Sequence, residues 1–185
     1  VSNPKVFLNG KPLQDLKPGS FHRIDRRWNK GDKIVIDFPL RARTSRWYKD
    51  SITVEEGPLV FSLRIGEDWR KIEKGMRRPA PAPASDWEVH PTTPWNYGLI
   101  LDVDHPEDSI EKNLKPVGLA PFTTEGAPVE LRLNGRRIME WVETNGSAGL
   151  LPQSPASSLE PVEILTLIPY GSAKLRITAF PLLKQ

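Results

Sequence analysis

Cysteine is missing altogether from these 185 residues, and with it go disulfide frameworks, thiol nucleophiles, thiolate zinc sites and iron–sulfur clusters. The same gap leaves the redox compartment open. No apolar run approaches the roughly 20 residues that a bilayer span needs. The longest core-like stretch is Val162-Glu-Ile-Leu-Thr-Leu-Ile168, so no membrane partner is expected. Charge of one sign is scarce as well: 26 Lys+Arg against 23 Asp+Glu leave +3, and no nucleic-acid partner is expected. His22, His90 and His105 form no i, i+4 pair and no H-E-x-x-H occurs, which argues against zinc. The G-x-S-x-G elbow, the G-x-G-x-x-G turn and the Walker loop are all absent, so serine acyl transfer, hydride transfer and nucleotide hydrolysis have no support. Val1-Ser-Asn-Pro-Lys5 carries neither an initiator methionine nor an apolar signal core, and reads as the start of a piece processed or excised from something longer.

What is present is alternation. In Lys33-Ile-Val-Ile-Asp-Phe38, Ile34, Ile36 and Phe38 share one face of an extended segment, and Leu59, Phe61, Leu63 and Ile65 do the same in the next apolar run. Val129–Leu133 alternates apolar with charged residues, and 174–180 sets Leu175, Ile177 and Ala179 opposite Lys174, Arg176 and Thr178. Further strands are predicted over 5–8, 21–28, 51–56, 86–90, 97–103, 137–143 and 162–168. Asn9-Gly10 and Asn134-Gly135 are candidate hairpin turns, and Asn29-Lys-Gly-Asp32 parts two runs. Pro39, Pro58, Pro169 and Pro181 fall at element edges, where no ladder donor is lost. Many short strands joined by such turns predict an all-β fold, an antiparallel, jelly-roll-like β-sandwich of one or two packed units.

Arg77-Arg-Pro-Ala-Pro-Ala-Pro-Ala84 favours polyproline II and cannot be a central strand. The charge also turns over there: residues 1–78 hold 18 basic and 10 acidic side chains, and 79–185 hold 8 and 13. The preferred division is a partial β-sandwich over 1–70, a linker or strap over 71–84, and a second sandwich portion over 85–185. A long loop inside one sandwich is the alternative. Residues 146–158, rich in serine, glycine and proline, are expected to be an exposed, mobile loop.

Paired carboxylates across a glycosidic bond would suit sugar hydrolysis, but Glu55 and Glu56 are adjacent on a predicted strand and point to opposite faces, so a solvated edge is the simpler reading. Asp102-Val-Asp104-His105-Pro-Glu-Asp108 gathers oxygen ligands without the glycine or terminal glutamate of a calcium loop, and polar turn residues explain it equally well. Arg41–Lys49 mixes arginines with Trp47 and Tyr48; arginines packing on the rings or pairing with Glu55 and Glu56 account for it better than a nucleic-acid strand. Six tryptophans stand in the chain. Trp28, Trp47 and Trp69 sit beside strand ends as core or rim residues, while Trp87, Trp95 and Tyr97 surround prolines and threonines in a loop-rich stretch. There they either anchor a long connection or stack on sugar rings, and Trp141 can be assigned either way. The candidate carbohydrate platform is therefore Trp87, Trp95, Tyr97 and Trp141. No catalytic, cofactor-binding or metal-binding residue is assigned. Asn145-Gly-Ser147 fits the N-glycosylation pattern.

Three segments in order resemble glycoside hydrolase family 127, also known as domain of unknown function 1680. Phe7-Leu-Asn-Gly-Lys-Pro12 followed by Gly19–Asp32 is similar to the family's "NGK, then GSY-x-x-I-x-R-x-W-x-x-GD" run. Ser51–Ser62 resembles its "V-x-x-GPLV-aromatic" strand, and Pro161–Pro181 its "LIPYG-x-x-KLR-I-x-x-FP" end. The resemblance implies a parent glycosidase like a β-L-arabinofuranosidase, whose α/α barrel carries a cysteine nucleophile beside a zinc held by cysteines and a glutamate. With no cysteine here, the matching segments imply the C-terminal β-sandwich region that follows the barrel. It would be a non-catalytic accessory part whose partner is that barrel in the same polypeptide, with zinc confined to the barrel and no cofactor of its own. A homodimer and a plant glycan are further candidate partners. By analogy with bacterial glycan-degrading enzymes, a periplasmic or secreted setting is favoured. The alternative is a carbohydrate-binding module in its own right.

Overall fold

The computed structural model describes residues 4–17, 19–38, 40–72 and 85–184. Apart from two short 3-10 turns, every regular element among them is a strand and every strand pairing is antiparallel. The all-β expectation holds. The chain forms two compact units, Val1–Arg41 and Ala42–Gln185. The linker expected over 71–84 falls mostly on residues 73–84, which lie outside the described residues.

In the first unit, β1 (Lys5–Leu8), β2 (Lys11–Pro12) and β3 (Ile34–Asp37) make a sheet in the order β2-β1-β3. Asn9 and Gly10 both take positive φ, 50° and 78°, as the two-residue turn between β1 and β2 requires. The Asn9 amide then clasps the far loop. Its Oδ1 accepts from Lys33 N at 2.8 Å and its Nδ2 donates to Asp32 Oδ1 at 2.7 Å, while Asn29 N donates to Asp32 Oδ2 at 2.7 Å. Those donors, the Asn29 amide first, hold the Asp32 carboxyl below its ordinary range. Among the described residues no layer covers this sheet: Ile34, Val35 and Ile36 on β3, and Phe38 just after it, are all exposed. Residues 21–28 form no strand, contrary to expectation. Each would-be face mixes apolar with charged side chains, so neither gains from pairing; Phe21 is fully exposed and Arg26 lies over the Trp28 ring at 5.3 Å.

In the second unit the strands are β4 (Ala42–Arg46), β5 (Ile52–Glu56), β6 (Leu59–Leu63), β7 (Glu67–Lys71), β8 (Trp87–Pro91), β9 (Tyr97–Ile100), β10 (Glu111–Leu114), β11 (Val129–Arg137), β12 (Glu143–Thr144), β13 (Ser147–Ala148) and β14 (Glu163–Pro169). The main sheet runs β10-β11-β14-β6-β5-β4, with β9 also on β11. Register aligns Leu131 with Leu167 and Leu167 with Leu63. These residues, with Ile52, Val54, Phe61, Leu99 and Phe180, form one buried core. Lys112 opposes Leu131 and Glu56 opposes Leu59, so both point to the core face. Their ion pair reaches from β10 to β5 over three intervening strands, which only a strongly curled sheet permits. Thr44 Oγ1 donates to Val103 O at 3.2 Å and brings the β4 edge to the loop after β9. Glu56 is therefore buried beneath the curl, not on a solvated edge. Glu55 faces the other way, to Arg43 and Ser45.

The Val129–Leu133 run extends to Arg137, and this corrects the expected turn at Asn134-Gly135. Asn134 pairs with both Ile164 and Ile100 in mid-strand. Gly135 serves close approach, since a Cβ there would lie 2.4 Å from Leu165 Cδ1 and 2.7 Å from Gly98 O. The strand expected over 137–143 is a turn, closed by Trp141 N donating to Ile138 O at 3.0 Å. Residues 174–180 form no regular strand because the segment changes partners. Leu63 N donates to Ile177 O, Ile52 and Phe180 exchange two bonds, and Leu99 N donates to Pro181 O. Leu175 and Ile177 pack on the core as the alternation predicted. The loop over 146–158 is not simply exposed: Ser154 and Ala156 are buried, and Ala156 bridges Leu183.

Candidate functional site

The antiparallel ribbon of β7 and β8 sets Trp69 opposite Val89 and Lys71 opposite Trp87. Trp69 and Trp87 therefore share one face on a diagonal. Their rings meet edge to face, centroids 6.4 Å apart at 71°, and both remain exposed. Trp69 Nε1 donates to Glu67 Oε2 at 3.0 Å. The opposite face carries Asp68, Arg70, Glu88 and His90, with Arg70 on Asp68 at 2.8 Å and His90 on Glu88 at 3.2 Å.

The four aromatics singled out in the sequence do not converge. Trp87 partners Trp69, a residue expected at the core or rim. Trp95 is half-buried, and Trp141 stands edge-on to it at 5.3 Å and 79°. Trp141 is itself buried, its Nε1 donating to Gly149 O at 3.0 Å. Tyr97 is buried on β9, where its hydroxyl donates to Glu163 Oε2 at 2.9 Å. Burial first, and then Glu163, push that phenol up to about 12. Only Trp95 and Trp87 of the four offer ring surface outward.

Trp95 lies between two cavities. One, of about 500 Å3, runs between β8 and the β12–β13 hairpin; Ile65, Leu175, Ile177 and Trp95 give it apolar walls, and Glu88, His90, Glu143, Ser147 and Arg176 give it polar ones. The Arg176 head is fixed, with Nε donating to Tyr170 O at 3.2 Å and Ala173 O at 2.9 Å and the guanidinium stacked on the Tyr170 ring at 4.3 Å. The hairpin exists because Asn145 and Gly146 take positive φ, 53° and 74°. The Asn145-Gly146 pair is the one signal for this wall in the sequence, where it also forms part of the N-glycosylation pattern. The second cavity, of about 480 Å3, lies against Thr92, Thr93, Asn96, Arg137 and Met139. Arg137 Nε is buried with no partner among the described residues. An apolar groove of about 620 Å3 lies elsewhere on the unit, between Trp47 and Tyr170.

Two further carboxylates, Glu130 and Asp102, are engaged. Glu130, on the outer face of β11, accepts from Lys115 Nζ at 2.5 Å, Arg64 Nη1 at 3.1 Å and Asn113 Nδ2 at 3.2 Å, and Lys115 above all holds it below the usual carboxylate range. Asp102 Oδ1 accepts the amides of Asp104 and His105, at 2.9 and 3.3 Å, which makes the acidic run a self-bonded turn. Among the described residues no three His, Asp or Glu side chains converge as metal ligands. With no thiolate in the sequence, the donor set here does not fit the cysteine-bound zinc that the family resemblance implies for the barrel.

No family model matches the sequence, and no curated protein matches it. Solved structures do resemble it. A glycoside hydrolase aligns over 99% of this chain and 26% of its own, at 18% identity and a TM-score of 0.48. A GH127 β-L-arabinofuranosidase from Geobacillus stearothermophilus T6 aligns over 98% and 24%, at 16% identity and 0.49. A GH127 β-arabinofuranosidase aligns over 97% and 23%, at 18% identity and 0.54. This chain thus spans about a quarter of the length of each, and at these identities it shares with the last of them a β-sheet fold over nearly its whole length.

Proposed function

We propose that this chain is the non-catalytic accessory β-sandwich region of a larger glycoside hydrolase, a β-L-arabinofuranosidase in kind, and that it docks on and supports a catalytic α/α barrel in the same polypeptide. The observation that carries the reading is the alignment of 97% of this chain to 23% of a β-arabinofuranosidase at a TM-score of 0.54, in line with the three motif segments. Two features of the chain support it. Its buried carboxylate Glu130 is tied to Lys115 and Arg64 and held below the usual carboxylate range, where a general acid needs a raised pKa; the buried Glu56 is tied to Lys112. Its first unit lays Ile34, Ile36 and Phe38 on an uncovered sheet, apolar surface of the sort buried between domains.

The test is turnover of a nitrophenyl β-L-arabinofuranoside. The purified 185-residue chain is expected to give none above buffer, and a longer polypeptide that includes it is expected to give turnover. Hydrolysis by the 185-residue chain alone would overturn the reading.

A further inference from the structure

We propose that the groove between β8 and the β12–β13 hairpin binds a short neutral oligosaccharide. Its volume, about 500 Å3, falls within the roughly 300–1,000 Å3 of small-ligand clefts. The apolar walls, Ile65, Leu175, Ile177 and the Trp95 ring, suit the C–H faces of sugar rings. The polar walls mix signs: Glu88 and Glu143 accept, Arg176 donates, and Ser147 does both. A hydroxyl both donates and accepts and so can use every one of them, whereas an anion meets two carboxylates and a cation meets the Arg176 guanidinium.

The groove is also pre-arranged. Trp141 backs the Trp95 ring, and Tyr170 together with the carbonyls of Tyr170 and Ala173 immobilises Arg176, so little side-chain freedom is lost on binding. Glu143 and Ser147 make no side-chain hydrogen bond or ion pair among the described residues, and both are exposed on the hairpin. This role is additional to docking, and the groove shares no residue with the uncovered sheet of the first unit.

Calorimetric titration of the 185-residue chain tests it, with arabino-, xylo- and cello-oligosaccharides and with tri-lysine and tri-glutamate peptides as charged controls. The expected result is saturable binding of at least one oligosaccharide and neither peptide, weakened about five-fold or more by E143Q and by Ser147→Ala, and lost in W95A. Trp95 packs on both core clusters, so the two hairpin variants keep the test decisive if W95A does not fold. Three results would each overturn the proposal: no saturable binding of any oligosaccharide up to about 10 mM, ten times a millimolar Kd; affinity in E143Q and Ser147→Ala undiminished from that of the parent chain; or binding of a charged peptide in place of sugar. Only the choice of arabinose in the panel rests on the glycosidase reading. Binding of xylo- or cello-oligosaccharides alone would support the groove and leave the turnover test above to judge that reading.

Discussion

The two units of this chain organise similar strand sequences in opposite ways. In the second, alternation is used on assembly: Leu63, Leu167 and Leu131 line up across three strands and become almost wholly inaccessible. In the first, Ile34, Ile36 and Phe38 alternate just as well and remain 44%, 52% and 60% exposed. What orders the first unit is polar, the Asn9–Asp32 clasp and its turns. Alternation marks a strand and its apolar side, and whether that side is covered depends on a second layer that the local sequence does not encode.

The widest gap between the units is expected in core truncation. Leu167→Ala should cost about 2–5 kcal/mol of unfolding free energy, whereas Ile36→Ala, at a half-exposed site, should cost under about 1 kcal/mol. Urea denaturation measures both, and equal costs would break the comparison.

The next effect belongs to the second unit's outer face. Glu130→Gln removes a buried carboxylate held by Lys115 and Arg64. Both cations are more than a third exposed, so solvent screening reduces the pair terms, and a loss of about 1–3 kcal/mol is expected at neutral pH. Its folded-state pKa is depressed, so the contribution is fully present above the unfolded value and is lost as pH falls through the folded one. Urea midpoints of the parent and of Glu130→Gln should therefore converge in acid, and a gap that persists or widens would contradict the assignment.

In the first unit, Gly10→Ala at φ 78° should cost about 1 kcal/mol, and amide exchange should localise the loosening to β1–β3. The Asp32 clasp weakens in the same direction as Glu130, fading as pH falls, because Asp32 too is held below its ordinary range. Smallest in stability but most telling about the surface is Ile36→Asp. It should leave the urea midpoint nearly unchanged while reducing the binding of a hydrophobic dye by the chain. Unchanged dye binding would place the apolar surface elsewhere.

Much of the second unit was legible in the sequence. Strands over 51–56, 59–65, 129–133 and 162–168 could be read from period-2 patterns, and their inward faces are the core. The failures have physical causes. β7 and β10 carry mostly charged or polar residues and give no apolar alternation. Asn134-Gly135 looks like a turn, but its glycine answers to a neighbouring strand. The curl that brings Glu56 to Lys112 is a property of the sheet, not of either segment. At the candidate site, Trp95 could be read as an aromatic of interest, yet neither its backing by Trp141 nor the wall at Glu143 could, because both depend on a turn at 138–141 that the alternation disguised as strand. Tyr97 and Trp141 carried the same composition signal as Trp87, and burial alone separates them.

The proposed docking on a barrel would bury Ile34, Ile36 and Phe38 of the first unit between domains. Hydrogen–deuterium exchange at residues 34–38, compared between the 185-residue chain and a longer polypeptide containing it, tests this most directly. Markedly slower exchange at those amides in the longer polypeptide is the predicted result, and identical exchange in the two would contradict it.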